Sequence, residues 1–163
     1  GGPVASNEQR KQMVALAVSG CQCYPVDDRE LIRGDVSYTV DTLQGLKTEF
    51  SNAEFFLIIG SDSLASIRQW HQPERLLELV TLVVLQRGAD ADVDFDVLSG
   101  LASETQIQRI RESQVSMPLI ELSSSQIRER VRNGQSIRFR TPRSVEAFIK
   151  AEKLYQAPSE NDS

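Results

Sequence analysis

Residues Leu122–Arg128 read LSSSQIR, which sets three hydroxyls at the start of a helix with an arginine about one turn inside. Such a start favours an anion through its N–H groups and dipole, and a guanidinium adds a forked donor matched to phosphate. Plain capping by the serines, with Arg128 in solvent, accounts for the same residues. Ser37-Tyr38-Thr39 marks a second helix start, suited to a carboxylate or simply capped by Ser37. In Gly60-Ser61-Asp62-Ser63, the glycine lets a ligand approach the backbone closely. Asp62 could accept hydrogen bonds from ribose hydroxyls or serve as a helix cap. Trp70, the only tryptophan, could stack on a heteroaromatic ring or pack in the core. His71, the only histidine, is expected to be exposed and receives no role. Arg138-Phe139-Arg140 could touch phosphate or lie in a solvated loop.

Several other chemistries find no support. A serine-hydrolase turn needs Gly-x-Ser-x-Gly and a base. That spacing is absent, and His71 lies about two helical turns beyond Ser63 if the stretch is helical. Neither a Gly-Lys-Ser/Thr phosphate loop nor Gly-x-Gly-x-x-Gly occurs in the chain. Cys21 and Cys23, one residue apart on a predicted strand, are read as reduced thiols that are not expected to bond to each other. With one histidine and no second cysteine pair, a structural metal site is not expected.

Apolar runs alternate with amphipathic stretches along the chain. Ser6-x-x-Gln9 is a capping-box pattern, and Met13, Leu16 and Ala17 recur at helical spacing, predicting a helix over 7–19. A strand is predicted over 21–27, at an edge because of Pro25. After Arg33-Gly34-Asp35, Ser37 is expected to cap a helix with Val40, Leu43, Leu46 and Phe50 on one face. The run EFFLIIG, 54–60, predicts a strand buried on both faces, and 81–86 (TLVVLQ) a second, stopping at Arg87-Gly88. Ser61-Asp62-Ser63 should cap the helix that follows the first. Helices are expected over 75–80 and 105–113, a polar loop with four aspartates over 89–100, and a last strand over 117–122. The serines at 123–125 should cap a helix to Asn133 with Gly134 just past its end. Thr141-Pro142 opens a final helix to about Lys153.

Strands alternating with helices predict an α/β fold, an open parallel sheet with helices on both faces. Its ligands would sit outside the carboxyl ends of the strands. The 163 residues are 40% hydrophobic and 25% charged, as in one globular domain. A formal net charge of −5 argues against wholesale capture of nucleic acid or anionic membrane. Neither apolar run approaches the roughly 20 residues of a membrane helix. Residues 1–10 are polar with no secretory pattern, pointing to the cytoplasm.

Taken in order, SNEQR from Ser6, SYTVDTL from Ser37, IIGSDSL from Ile58 with Trp70, VVLQRG from Val83, LSSSQIRERVRNG from Leu122 and KLY ending at Tyr155 resemble the bacterial nicotinate mononucleotide adenylyltransferases. The similarity runs from about Pro3 to Tyr155. It implies a Rossmann-like nucleotidyltransferase that joins ATP and nicotinate mononucleotide into nicotinate adenine dinucleotide and pyrophosphate, in NAD synthesis, with Mg²⁺ bridging the ATP phosphates. By resemblance, Ser37, Tyr38, Thr39 and Trp70 grip the nicotinate ring and its carboxylate. Gly60 and Asp62 hold the adenosine ribose. Ser123, Ser125 and Arg128 stand in the Ile-Ser-x-Thr-x-x-Arg motif that holds ATP phosphates, with Ser125 in place of the usual threonine. Arg87 is a further nucleotide contact of lesser weight.

The family opens with a strand, a Gly-Gly-Thr-Phe-Asp-Pro turn and a His-x-Gly-His motif whose histidines grip the triphosphate. This chain contains neither motif. The resemblance starts after that β-α-β unit, so the expectation is one N-terminally incomplete domain over 1–155 and a polar tail over 156–163. Without the unit's strands, the runs 55–59 and 82–85 should present open edges or faces, and no catalytic residue is assigned. The alternative function is a degenerate paralogue that binds nucleotides or a protein without turnover. Oligomeric state and preference for nicotinate over nicotinamide stay open.

Overall fold

The computed structural model describes residues 5–34, 36–87, 92–118 and 120–157, with Arg87 described by its backbone. These residues group into two compact units, 33–120 and the pairing of 1–32 with 121–163. Among the predicted features, Asp35, Gly88, the loop residues 89–91, Leu119 and the tail beyond Ala157 lie outside the described residues.

The unit over 33–120 is built on a parallel sheet in the order β1-β2-β3: β1 is Phe56–Gly60, β2 Thr81–Arg87 and β3 Val115–Met117. Phe56 pairs with Thr81 and Gly60 with Leu85, while Leu85 and Arg87 pair with Val115 and Met117. Among the described residues, four helices accompany these strands: α3 (Thr39–Glu49), α4 (Ser61–Ala65), α5 (Pro73–Leu79) and α6 (Glu104–Glu112), preceded by the end of the short α2 (Arg29–Arg33). Single 3₁₀ turns lie at Ile67–Gln69 and Asp96–Leu98. Side chains alternate along a strand, so the register puts Leu57, Ile59, Leu82 and Val84 on one face. Leu82, Val84 and Ile59 are buried there with Leu64, Ile67, Leu76, Leu98 and Ile110. Each large aliphatic side chain so buried contributes about 1.5–3 kcal/mol.

The other face corrects the expectation of a strand covered on both sides. Phe56 is 52% exposed, Ile58 63% and Val115 45%. Continuous apolar composition hides which face has a covering layer. The open run foreseen over 55–59 is present at these alternate positions, whereas Leu82 and Val84 are enclosed.

In the second unit, α1 (Asn7–Val18) carries the predicted capping box: Ser6 Oγ accepts from the Gln9 N–H, and the Gln9 side chain accepts from the Ser6 N–H. The helix packs with α8 (Arg143–Ala151), where Ser144 Oγ donates to the Leu16 carbonyl at 3.0 Å. Ile137, Val145, Ile149 and Leu154 are buried, flanked by Met13, Leu16, Ile127 and Val131. Helix α7 (Ser124–Arg132) ends as predicted at Gly134, φ 66°. The Gln135 N–H reaches the Arg130 carbonyl and the Gly134 N–H the Val131 carbonyl, the double closure that a left-handed glycine permits.

Other boundaries moved. Residues 21–27 form no strand: the Tyr24 N–H closes a turn on the Cys21 carbonyl at 3.3 Å, and Pro25 has no N–H to give a ladder. The strand expected over 117–122 is Val115–Met117 instead, ending where Pro118 removes a donor. Helix α5 starts earlier than expected because Pro73 is preorganised for a first helical position. At the last helix the proline is itself the N-cap, one residue later than expected, and α8 ends at Ala151.

Candidate functional site

Helix α3 starts at Thr39 with Tyr38 as its N-cap, and Tyr38 makes no side-chain capping bond. Ser37 therefore sits one residue outside the cap, which corrects its predicted capping role. The Asp41 and Thr42 N–H groups both close on the Tyr38 carbonyl, at 3.1 and 3.4 Å. Val40 and Leu43 are buried and anchor the helix, while Phe50 turns out to solvent. Tyr38 is 42% exposed, so the helix start stands at the surface with its positive dipole end.

Gly60 ends β1 and is the N-cap of α4, so the cap is a backbone turn rather than the hydroxyls of Ser61 and Ser63 or the Asp62 carboxylate. Asp62 is exposed in the first turn of α4. Leu64, on the same short helix, is buried and fixes its rotation. Arg87 is the last residue of β2, two positions beyond the partner of Gly60. Both therefore mark carboxyl ends of parallel strands, where ligands of open α/β sheets bind.

Trp70 follows the Ile67–Gln69 turn, with its N–H bonded to the Ile67 carbonyl at 3.1 Å. It is half-buried and packs against the core cluster, so the fold holds one part of the ring and leaves another accessible. His71 is exposed as expected, yet its ring stacks on Tyr38 with centroids 4.0 Å apart and planes at 27°. The α3 start and the Trp70 segment are thus brought together. The sequence contains one signal for this contact, a lone histidine beside a lone tryptophan, and nothing local that names Tyr38 as its partner.

In the other unit, Ser123 is the N-cap of α7, its hydroxyl accepting from the Gln126 N–H at 3.2 Å. Arg128 Nη2 donates to Ser125 Oγ at 3.1 Å. Each serine accepts through oxygen and keeps its O–H as a donor. All three side chains are exposed, leaving two hydroxyls, a guanidinium and a helix N-terminus as one cluster of anion-preferring groups. Phe139, beyond Gly134 in the segment that follows this helix, is 92% exposed at φ 64°, with the Arg138 guanidinium 5.3 Å from its ring centre.

Among the described residues, no three His, Cys, Asp or Glu side chains gather as a metal site, and no helix is long and apolar enough to cross a membrane.

The profile of the cytidylyltransferase-like family matches residues 2–130. A Rhodopirellula baltica protein named "Probable nicotinate-nucleotide adenylyltransferase" is 51% identical over 95% of this chain, which spans 72% of that relative. A Geobacillus kaustophilus protein of the same name is 38% identical over 94% of the chain, which spans 65% of its length. Among solved structures, a Plasmodium falciparum nicotinic acid mononucleotide adenylyltransferase complexed with NaAD superposes with a TM-score of 0.64 at 16% identity. That match covers 94% of this chain and 76% of the other, and it supports the Rossmann-like fold. On the extent of the family match, and on the identity and coverage of these relatives, the chain belongs to the cytidylyltransferase-like family, among the nicotinate-nucleotide adenylyltransferases.

Proposed function

We propose that this chain binds ATP and nicotinate mononucleotide for adenylyl transfer, forming nicotinate adenine dinucleotide and pyrophosphate in cytoplasmic NAD biosynthesis. The observation that carries the reading is the 51% identity to a relative of that name over 95% of the chain. The chemistry at the two helix starts supports it. Tyr38 and Thr39 at the α3 start, with Ser37, take the pyridine carboxylate, since a helix N-terminus prefers the acid to the neutral amide. Trp70 offers its accessible part to the pyridine ring. Gly60 and Asp62 meet the adenosine ribose, and Arg87 is a further nucleotide contact. Ser123, Ser125 and Arg128 take the ATP phosphates.

The mononucleotide phosphate attacks the α-phosphorus of ATP directly. A new phosphorus–oxygen bond forms as the α–β bridge breaks, and pyrophosphate leaves with the bonding electron pair. No covalent nucleophile is required, so what this chain supplies is positioning and stabilisation of developing negative charge. Arg128 and the hydroxyls at the α7 start meet that charge. Mg²⁺ bound with ATP would be held chiefly by substrate phosphates and water and would neutralise phosphate charge.

The test is incubation of the full-length natural protein with MgATP and nicotinate mononucleotide, following pyrophosphate and the dinucleotide by chromatography. Equal release of both products is expected. Binding of both nucleotides with no turnover would establish the non-catalytic alternative, and failure to bind either would sink the enzyme reading and leave only a protein-binding paralogue.

A further inference from the structure

His71 is the one ring at the candidate site to which sequence reading gave no role, and it stacks on Tyr38 while following Trp70 in the chain. Its imidazole lies 4.0 Å from the Tyr38 ring at 27°, while its backbone directly follows Trp70. The next residue, Gln72, has φ 51° and is the N-cap of α5, ahead of Pro73. That left-handed turn is costly for a residue with a side chain. It reverses the chain just after the histidine. The Gln72 side-chain Nε2 is 3.2 Å from His71 Nε2. The imidazole is therefore held on one face by Tyr38 and at one edge by Gln72.

We propose that His71 is a positioning residue for nicotinate mononucleotide. Its stack on Tyr38 fixes the spacing between the α3 start, which takes the carboxylate, and Trp70, which takes the ring. The inference rests on the functional reading above. Both segments are exposed or half-exposed at this point, and the ring pair joins them directly. Aromatic pairs contribute modestly, so loss of this one should alter substrate affinity by about 2- to 10-fold.

The experiment compares His71→Ala and His71→Phe with the unsubstituted full-length enzyme. Steady-state kinetics are combined with direct titration of nicotinate mononucleotide, read by the fluorescence of Trp70, the only tryptophan. Expected for His71→Ala is a rise of about 2- to 10-fold in KM and in the dissociation constant for nicotinate mononucleotide, with kcat and the KM for ATP within about twofold. His71→Phe retains a flat ring and should restore affinity. An unchanged affinity in His71→Ala overturns the inference, as does a parallel loss in kcat and in both KM values, which is the pattern of general unfolding. Failure of the phenylalanine variant to rescue also overturns it. If the unsubstituted enzyme neither binds nicotinate mononucleotide nor forms dinucleotide, the functional reading falls and this inference falls with it. Normal turnover with an indifferent His71→Ala removes the inference alone.

Discussion

Ser123 performs one task visibly and is assigned a second, and substitution can separate them. As N-cap of α7 it accepts from the Gln126 N–H at 3.2 Å. Replacing a serine cap by alanine costs about 1 kcal/mol, or about 2–4 °C of melting temperature for a chain of this size. If its hydroxyl also donates to an ATP phosphate, Ser123→Ala loses a bond to a charged group, about 1.5–3 kcal/mol. That corresponds to roughly 10-fold or more in kcat/KM for ATP. Ser123→Asp splits the two effects. Aspartate caps as well as serine and suits the helix dipole, so melting should recover, but its carboxylate repels the triphosphate and ATP kinetics should worsen further. Calorimetry and initial-rate assays on the full-length protein read both quantities. An aspartate variant that uses ATP normally would refute the phosphate assignment, and an alanine variant with unchanged melting would refute the capping argument.

Leu82 is fully buried on the central strand, so Leu82→Ala should cost about 2–5 kcal/mol, measurable by urea unfolding. A loss below about 1 kcal/mol would show that the site collapses around the smaller side chain. Lys11 Nζ lies 2.6 Å from Asp28 Oδ2. Its hydrogen bond and charge hold the Asp28 carboxyl below its usual value, while the reciprocal bond raises Lys11. The pair's stabilisation should therefore be present from about pH 4 to about pH 10. It should fade as pH falls through the depressed Asp28 value or rises through the elevated Lys11 value. A difference in melting between the natural chain and Asp28→Asn that persists at pH 2 would contradict this. The neighbouring Cys23 side chain lowers the Cys21 thiol, and Cys21 in turn raises Cys23. Because the thiolate is the nucleophile, limited alkylation near pH 8 should label Cys21 first despite its lesser exposure, as peptide mass spectrometry would show.

Much of this arrangement is legible where short-range physics dominates. The Ser6 capping box, the β1 and β2 runs, the Ser123 cap and the Gly134 terminus are each specified by a few adjacent residues. Elements set by distant partners are less so. Residues 21–27 have strand composition but pair with no strand among the described residues, and the last ladder stops at Pro118. The apolar run of β1 reads as buried throughout, yet only a covering layer decides that Ile59 is enclosed and Ile58 is not. At the site, anion-preferring helix starts are visible from serines, glycine and arginine. The ring contact between Tyr38 and His71 depends on how the chain folds back and leaves no local pattern to read.

The all-parallel sheet also dictates an order of folding. Phe56 pairs with Thr81 and Leu85 with Val115, so neither ladder can begin as a hairpin. Each must close a long loop that contains helices, and loop-closure entropy opposes that step before any ladder bond rewards it. The intervening helices α5 and α6, whose backbone hydrogen bonds are local, should gain structure first and then deliver β2 and β3 to β1. Until the last ladder closes, the central Leu82 and Val84 remain in water. A nascent chain in that state is the one most in need of a chaperone.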